Sequence, residues 1–183
     1  MEIINTPIED LVVLSPKVFE DDRGYFFESY NESKLPEALR LNWVQDNESK
    51  SSKGVLRGLH YQVGQYAQAK LVRAITGEIY DVAVDIRPES PTYGQWHGEL
   101  LTAENKKQML VPRGFAHGFL VLSDIAIFAY KCDNYYSKDS EGGILYNDPT
   151  LQVDWPDIGE EFKLSDKDLI QSTFGNHLAF YYV

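Results

Sequence analysis

Short apolar runs separated by glycine, proline and polar turns recur along most of this chain. The clearest pattern follows Gly77, where even-numbered residues from 80 to 86 face one side of a strand and odd-numbered residues from 79 to 85 the other. We predict that residues 70–86 form a β-hairpin that turns at Gly77 and Glu78, because glycine accepts the backbone angles of a tight turn.

The same alternation predicts further short strands and very little helix. One short helix is predicted near residues 36–40 and another at 164–170, where Ser165 is a plausible N-cap with Asp168 three residues on. The other predicted strands cover residues 12–14, 25–30, 55–62, 96–102, 108–111, 118–122 and 125–133. Many short strands with glycine and proline turns indicate an all-β sandwich or barrel.

Two separated motifs narrow this class to a cupin, the double-stranded β-helix or jelly-roll barrel. The first combines Gly54, His60 and Gly77, and the second is the sequence PRGFAH at 112–117. Gly114 permits a tight turn, after which His117 is expected to point into the barrel. We predict a single cupin domain over residues 1–183, with a core barrel at about 44–135. N-terminal strands at 10–30 and a C-terminal segment at 145–183 flank it.

Composition and charge restrict the possible partners. The net charge of −11 disfavours nucleic acid, which needs a basic face, so an anionic ligand would have to meet local cations in a pocket. No apolar run approaches the roughly 20 residues of a membrane helix, and no signal peptide is evident. The single cysteine, Cys132, cannot form an internal disulfide, which favours a cytoplasmic location.

The ligand set of a metal-binding cupin is incomplete here. Such cupins use about three to four ligands, commonly two close histidines, a carboxylate and a further histidine. This chain has His60-Tyr61-Gln62 in place of the paired histidines, and Lys70 stands near the expected carboxylate. Because an ammonium group repels a divalent cation, we expect no metal, which leaves His60 and His117 available for other chemistry.

The remaining polar candidates each have a structural and a functional interpretation. His60, near a polar cluster that includes Gln45, Asn47, Arg57 and Gln62, is either a hydrogen-bonded core residue or a general base. Lys70 is either a solvent-facing lysine or a cation that stabilises an oxyanion, and Tyr130 is either a packing aromatic or a proton donor. Arg23 and Arg57 are either surface charges or a pair suited to a diphosphate.

Seven stretches, in order, carry a specific resemblance to one family. They are DRGYFFE at 22–28, VQDN at 44–47, GVLRGLHYQ at 54–62, KLVR at 70–73, DVAVDIR at 81–87, PRGFAHGF at 112–119 and NDP at 147–149. Together they resemble the dTDP-4-dehydrorhamnose 3,5-epimerase family.

The resemblance implies a cofactor-free isomerase that acts as a homodimer. Its substrate would be dTDP-4-dehydro-6-deoxy-D-glucose, inverted at C3 and C5 on the way to dTDP-L-rhamnose for cell-surface polysaccharide. It implies that His60 is the base and Tyr130 the acid, that Lys70 stabilises the enolate, and that Asp168 orients His60, with Asp166 as the alternative. The implied substrate contacts are Arg23, Glu28, Gln45, Asn47, Arg57, Gln62, His117, Glu141 and Lys167, and the implied thymine-stacking aromatic is Tyr136.

Three other classes of protein fit parts of the pattern. A single-carbon epimerase or a ketoisomerase on a similar dTDP-sugar would use nearly the same His60, Lys70 and Tyr130 set. A non-catalytic sugar-binding cupin would not need the base and acid, and a metal-dependent dioxygenase would need the missing ligands.

Two features do not follow simply from the pattern. Arg57 and His60 have opposite parity in a regular strand, so either Gly58 marks a bulge or Arg57 serves the pocket from an edge. The apolar stretch at 178–183 is expected to cover a sheet edge or a dimer contact.

Overall fold

Two antiparallel sheets face each other in the computed structural model of the chain, which describes residues 1–181. The strands are β1 (Glu2–Asn5), β2 (Val12–Ser15), β3 (Phe19–Asp21), β4 (Gly24–Phe26), β5 (Gln45–Ser52), β6 (Leu56–Gln62), β7 (Lys70–Thr76), β8 (Glu78–Asp85), β9 (Trp96–Thr102), β10 (Gln108–Val111), β11 (Phe115–Val121), β12 (Ile125–Cys132) and β13 (Glu141–Gly143). The six-stranded sheet has the order β1-β2-β10-β7-β12-β5, and the five-stranded sheet has the order β13-β6-β11-β8-β9. This is the predicted all-β cupin architecture.

Helix is confined to short pieces. One-turn 3₁₀ helices occupy Glu32–Lys34, Glu37–Leu39, Gly64–Tyr66 and Lys138–Ser140, and a single α-turn, α1, covers Asp166–Leu169. Ser165 caps α1 and Asp168 completes the capping box, as the sequence predicted. No helix within residues 1–181 is long and apolar enough to cross a membrane.

Both faces of each sheet pack against other parts of the chain. One core lies between the sheets, where Val72 and Phe128 of the six-stranded sheet meet Ile79 and Phe119 of the five-stranded sheet. The outer face of the five-stranded sheet packs on C-terminal residues, and that of the six-stranded sheet on N-terminal residues up to Trp43. The alternation predicted for β8 is confirmed, and both of its faces are largely buried because each has a covering layer.

The predicted hairpin at Gly77 is wrong. Strands β7 and β8 follow each other in the chain but belong to different sheets, and β7 pairs with β10 and β12, whereas β8 pairs with β9 and β11. Gly77 has a φ of 74°, and a Cβ there would collide with the Ile125 carbonyl. The glycine therefore marks a corner at which the chain passes between sheets, which local alternation cannot distinguish from a hairpin turn.

A bulge in β6 resolves the parity of Arg57 and His60. His117 is paired with His60 and Phe119 with Arg57, so two steps along β11 match three steps along β6. The extra residue lies at Gly58, whose φ is 145°. A Cβ added to Gly58 would lie only 2.6 Å from the Gly118 Cα. Because one residue is absorbed, Arg57 and His60 reach the same side of the sheet.

The C-terminal stretch covers the five-stranded sheet up to the last described residue. Phe180 is buried in the outer core, and the Tyr61 hydroxyl donates a hydrogen bond to the Leu178 carbonyl at 2.7 Å. Tyr181 lies over Gly64. The prediction for residues 182 and 183 lies outside the described residues.

We expect Gly58→Ala to lower the free energy of unfolding by about 2–4 kcal/mol, because overpacking against Gly118 adds to backbone strain. Gly24→Ala is the matched control, since Gly24 also has a positive φ, 128°, but an added Cβ meets nothing within 4 Å. It should cost about 1 kcal/mol from strain alone. Urea unfolding of the three proteins measures both effects, and equal losses would contradict a steric role for the Gly58–Gly118 approach.

Candidate active site

A cavity of about 670 Å³ opens between the sheets and contains most of the polar candidates. It adjoins a smaller cavity of about 310 Å³, and both are bordered by Asn47, His60, Lys70 and Tyr130. His60 comes from β6 of one sheet, whereas Lys70 and Tyr130 come from β7 and β12 of the other. A ligand in this space would therefore have an imidazole on one side and a phenol and an ammonium on the other.

His60 is held against a buried carboxylate. Its Nε2 lies 2.8 Å from Oδ1 of Asp168, whose side chain is 3% exposed, although the N–H direction is not aligned for a regular hydrogen bond. A carboxylate beside Nε2 favours the tautomer with its proton on that nitrogen. Nδ1 then keeps its lone pair and can accept a proton. Asp166 is exposed, so Asp168 is the carboxylate that contacts His60.

Asp168 joins α1 to β6. Its Oδ1 accepts from the Gly58 N–H at 3.3 Å, and its Oδ2 accepts from the Ser165 hydroxyl at 2.5 Å and the Ser165 N–H at 3.2 Å. Burial acts to raise the pKa of Asp168, but the contacts with His60, Ser165 and Gly58 outweigh burial and lower the pKa to about 2. The carboxylate is thus ionised at neutral pH beside the imidazole.

Tyr130 and Lys70 lie close together on neighbouring strands. The Lys70 Nζ is 5.9 Å from the centre of the Tyr130 ring. Burial raises the pKa of the Tyr130 phenol, so that the phenol keeps its proton at neutral pH. Burial lowers the pKa of Lys70, while Cys132 and the carboxylates of Asp81 and Glu141 act in the opposite direction.

Arg57 and Lys70 are the cavity cations that have no carboxylate within ion-pair distance among residues 1–181. The Arg57 guanidinium has one weak contact, 3.4 Å from its Nη2 to the Ser51 hydroxyl. A guanidinium without a counterion is available for a bound anion. In an acidic protein, these two cations give the cavity its local positive charge.

A second histidine–aspartate pair lies at the cavity wall. His117 Nε2 is 2.9 Å from Asp81 Oδ1 and 3.1 Å from Oδ2, and both residues are buried. Burial raises the pKa of Asp81, and the contact with His117 opposes that shift. Beyond this pair the wall is apolar, with the Phe119 and Phe128 rings stacked at 4.3 Å between centroids.

The part of the chain that the structure describes contains no group of three or more His, Cys, Asp or Glu side chains arranged to hold a metal ion. The two cavity histidines each face an aspartate, and the ammonium of Lys70 lies near the same wall. This donor set suits proton transfer better than metal ligation.

Comparison with known proteins places this geometry in a family. Residues 5–176 match the sequence model described as dTDP-4-dehydrorhamnose 3,5-epimerase. The chain belongs to the dTDP-4-dehydrorhamnose 3,5-epimerase family. The family consists of isomerases.

Individual relatives cover nearly the whole chain. A dTDP-4-dehydrorhamnose 3,5-epimerase of Shigella flexneri is 55% identical over 92% of this chain and 93% of its own. A crystal structure of the Legionella pneumophila enzyme in complex with dTDP-4-keto-L-rhamnose has a TM-score of 0.91 at 52% identity, covering 95% of this chain and 93% of that one. A 3′-monoepimerase of Streptomyces bikiniensis, in complex with dTDP-quinovose, has a TM-score of 0.88 at 31% identity, covering 94% and 88%.

Most of the residues suggested by the family resemblance border the two cavities. Arg57, His117 and Lys167 border the larger one, and Asn47 borders both. The smaller cavity is bordered by Gln45, Gln62, Tyr136 and Glu141. Gln62 already accepts a hydrogen bond from the Ser137 N–H at 2.8 Å, so it also holds the loop that carries Tyr136.

Arg23 and Glu28 are not brought to either cavity within the chain. They belong to a separate N-terminal hairpin, β3–β4, and the residues after it. The Arg23 side chain is 90% exposed and pairs with Asp21, whereas Glu28 pairs with Lys34 and accepts from Asn31. Their predicted contact with substrate therefore stays a prediction, because the direction in which a projecting hairpin points does not fix which cavity it serves.

The sequence pattern did not identify Asp81, which contacts His117, or Ser49 of β5, which borders the larger cavity. Asp81 lies on the same face as Ile79 and Ala83, so a carboxylate among buried apolar residues was the available signal. In the sequence, β5 resembles a polar cluster rather than a strand, although its residues Asn47, Glu48 and Ser49 border the larger cavity. An edge strand with one polar cavity face lacks the apolar alternation used to find strands.

Because the pKa of Asp168 is lowered in the folded protein, its contribution to the free energy of unfolding should depend on pH. Because its pKa in the folded protein lies below its ordinary value, ionised Asp168 stabilises the fold at neutral pH, and this contribution is lost as pH falls below about 4 towards 2. At pH 7, Asp168→Asn should lower the unfolding free energy by about 1–3 kcal/mol, as for a buried hydrogen-bonded group.

The difference in unfolding free energy between the wild type and Asp168→Asn should become smaller when urea unfolding is repeated at successively lower pH. Asp166→Asn, which changes an exposed neighbour in the same turn, is the control and should show a small, nearly constant difference. A gap for Asp168→Asn that stays constant from pH 7 to pH 3 would contradict the assignment.

Proposed function

We propose that this cavity epimerises C3 and C5 of dTDP-4-dehydro-6-deoxy-D-glucose, giving dTDP-4-dehydro-L-rhamnose for dTDP-L-rhamnose synthesis. One observation carries the proposal: His60 and Tyr130 project from opposite sheets into one cavity, beside the ammonium of Lys70. Inversion at a carbon requires a proton to leave one face of the sugar ring and another to arrive at the opposite face. A base and an acid on opposing walls meet that requirement.

The reaction uses the substrate's own C4 ketone. The ketone acidifies the C3 and C5 hydrogens, and His60 Nδ1 takes one of them as the C–H electron pair moves into an enolate. Lys70 stabilises the negative charge on O4. One preorganised donor of this kind typically increases the reaction rate by ~10²–10³-fold. Tyr130 then protonates the same carbon from the other face. His60 releases its proton to water and Tyr130 regains one from water, after which the cycle repeats at the second carbon. Because the ketone accepts the electron pair, the proposal needs no metal or cofactor.

Asp168 has a supporting role in this scheme. Its carboxylate keeps the proton of His60 on Nε2 and stabilises the imidazolium formed after proton abstraction, as the aspartate of a catalytic triad does. The buried, ionised state of Asp168 suits that role.

The substrate's diphosphate is assigned to the cationic side of the cavity. Among residues 1–181, Arg57 has no carboxylate within ion-pair distance. The polar side chains of Gln45, Asn47, His117, Glu141 and Lys167 border the same or the adjoining space. Tyr136, which is 53% exposed at the edge of the smaller cavity, is assigned to stacking on thymine.

We also propose a cytoplasmic homodimer in which residues 1–183 form one cupin domain. The β3–β4 hairpin leaves Phe19, Tyr25 and Phe26 more than half exposed, which is a large apolar surface for so short a segment. A second copy of the chain would cover it and would bring Arg23 and Glu28 to the neighbouring cavity. The single buried thiol of Cys132 suits a reducing compartment.

The rival functions have weaker support. The single-carbon epimerase reading rests on a relative at 31% identity, against 55% for a 3,5-epimerase. A binding protein would not need a buried aspartate behind a cavity histidine opposite a protonated phenol. A dioxygenase would need a cluster of metal ligands. The side chains of residues 1–181 include no group of three or more His, Cys, Asp or Glu arranged to hold a metal ion.

The proton-transfer roles predict different failures for two substitutions. In D₂O with the 4-keto sugar nucleotide, His60→Asn should abolish both inversion and deuterium uptake, because no enolate forms. Tyr130→Phe should lower inverted product by about 10²–10⁴-fold, the usual contribution of a general acid, while deuterium still enters C3 or C5 with retained configuration. NMR of the sugar reports both readouts. Near wild-type inversion by Tyr130→Phe would remove Tyr130 from the acid role.

Loss of the unpaired guanidinium should weaken nucleotide binding. We expect Arg57→Ala to reduce dTDP affinity by about 1.5–3 kcal/mol, the range of a charged hydrogen bond, which corresponds to roughly 10- to 150-fold in Kd. Calorimetric titration measures it. Arg113→Ala is the control, because Arg113 pairs with Asp133 and does not border the cavity. An unchanged Kd for Arg57→Ala would exclude Arg57 from the phosphate site.

A further inference from the structure

The capping box of α1 connects the aspartate behind His60 to a serine that borders the larger cavity. The Ser165 hydroxyl donates to Oδ2 of Asp168 at 2.5 Å, and the Asp168 N–H donates to the Ser165 hydroxyl at 3.3 Å. The Ser165 N–H also donates to Oδ2, at 3.2 Å. One residue therefore holds both the backbone and the carboxylate of Asp168.

The two carboxylate oxygens of Asp168 have different partners. Oδ1 lies 2.8 Å from His60 Nε2 and accepts from the Gly58 N–H at 3.3 Å. Within residues 1–181, Oδ2 accepts its hydrogen bonds from Ser165. The torsion between Cβ and Cγ of an aspartate has a broad energy minimum, so hydrogen bonds decide the plane of the carboxylate. Rotation about that bond would move Oδ1 away from His60.

Helix capping uses only part of the Ser165 hydroxyl. An N-cap serine stabilises a helix when its oxygen accepts a hydrogen bond from a backbone N–H of the first turn, and the serine proton is not needed for that contact. The proton here points to a carboxylate whose side chain is 3% exposed, and a hydrogen bond to an ionised group is stronger than one between neutral groups. The helix itself is one turn of four residues. The hydroxyl proton therefore acts on the carboxylate rather than on the helix.

We propose that Ser165 is a positioning residue whose hydroxyl fixes the carboxylate plane of Asp168 and, through it, the imidazole ring of His60. This rests on the proposed function, in which His60 is the base. While Oδ2 is held by Ser165, Oδ1 stays beside Nε2 and the ring keeps one orientation in the cavity. Without the hydroxyl, the carboxylate rotates, and the base spends less time in the position from which it can abstract a proton.

Ser165→Gly tests this role, because glycine is also accepted as an N-cap but has no hydroxyl. With the 4-keto sugar nucleotide in D₂O, kcat of this variant should fall by roughly 10- to 100-fold, the range for losing a group that orients a functional side chain. Deuterium uptake and inversion should fall by the same factor, because both require the enolate. The Kd for dTDP, measured by calorimetric titration, should stay at the wild-type value.

Two further variants at this position separate the hydroxyl from the cap. Ser165→Thr keeps the hydroxyl and a good N-cap, so it should restore most of kcat. Ser165→Ala also lacks the hydroxyl, and it replaces Ser165→Gly in the comparison if the glycine variant does not fold. Urea unfolding of each protein shows whether kcat follows the presence of the hydroxyl or the stability of the fold.

The chain contains a matched control serine. The Ser90 hydroxyl donates to Oδ2 of the buried Asp85 at 2.6 Å, and Ser90 borders neither active-site cavity. Ser90→Gly therefore removes the same kind of hydrogen bond away from the base. It should lower the free energy of unfolding but leave kcat and deuterium uptake at the wild-type values.

The possible outcomes are distinct. Low kcat in Ser165→Gly with unchanged dTDP affinity and recovery in Ser165→Thr supports the proposal. Wild-type kcat in Ser165→Gly overturns it, and so does a Ser165→Thr variant that is as slow as the glycine variant. A loss of kcat that is matched by an equal loss of dTDP affinity places Ser165 in binding and also overturns the proposal. A wild type that binds dTDP but neither exchanges nor inverts the sugar overturns the proposed function, and the role of Ser165 with it.

Discussion

The close approach of β6 and β11 at Gly58 and Gly118 is the constraint on which the active site depends. An added Cβ on either glycine would lie 3.0 Å or less from the Cα of the other, so the two backbones could not meet with any larger residue. This approach accommodates the extra residue of β6 and so turns Arg57 and His60 to the same side. It also leaves the Gly58 N–H directed at Asp168. One packing contact between backbones therefore sets the base, its aspartate partner and the free guanidinium in one cavity.

The two sheets divide the chemistry between them. The five-stranded sheet carries His60, Arg57 and His117, and the six-stranded sheet carries Lys70 and Tyr130. Because a cupin encloses its cavity between sheets, groups on opposite walls reach opposite faces of a bound ring. The same architecture elsewhere holds metal ions with converging ligands on the inner walls. Here, in the part of the chain that the structure describes, the inner walls present two histidine–aspartate pairs, a phenol and two cations that have no carboxylate at ion-pair distance. The cavity is therefore suited to moving protons.

Charge in this molecule is organised locally. The chain has a net charge of −11, yet the cavity contains a guanidinium and an ammonium that have no carboxylate at ion-pair distance among the described residues. Burial works against both the Lys70 cation and the Asp81 anion, and the two lie close enough to stabilise each other's charge. Such a site attracts an anion by its local field, whereas the acidic outer surface discourages nonspecific binding to polyanions.

The sequence alone determined the class of the fold, the turns at its glycines and the capping box of α1, and it predicted His60, Lys70 and Tyr130 as candidates for the chemistry. These features depend on local backbone preferences and on residue type, both of which are readable along the chain. The tertiary structure decided that β7 and β8 part at Gly77, because a corner and a hairpin use the same glycine conformation. It also decided that Asp168 rather than Asp166 meets His60, and that Asp81 lies behind His117, because partners more than 30 residues apart are chosen by packing. Arg23 and Glu28 lie in a motif of the family but outside the cavity, since the direction in which a hairpin projects is not encoded in its own few residues.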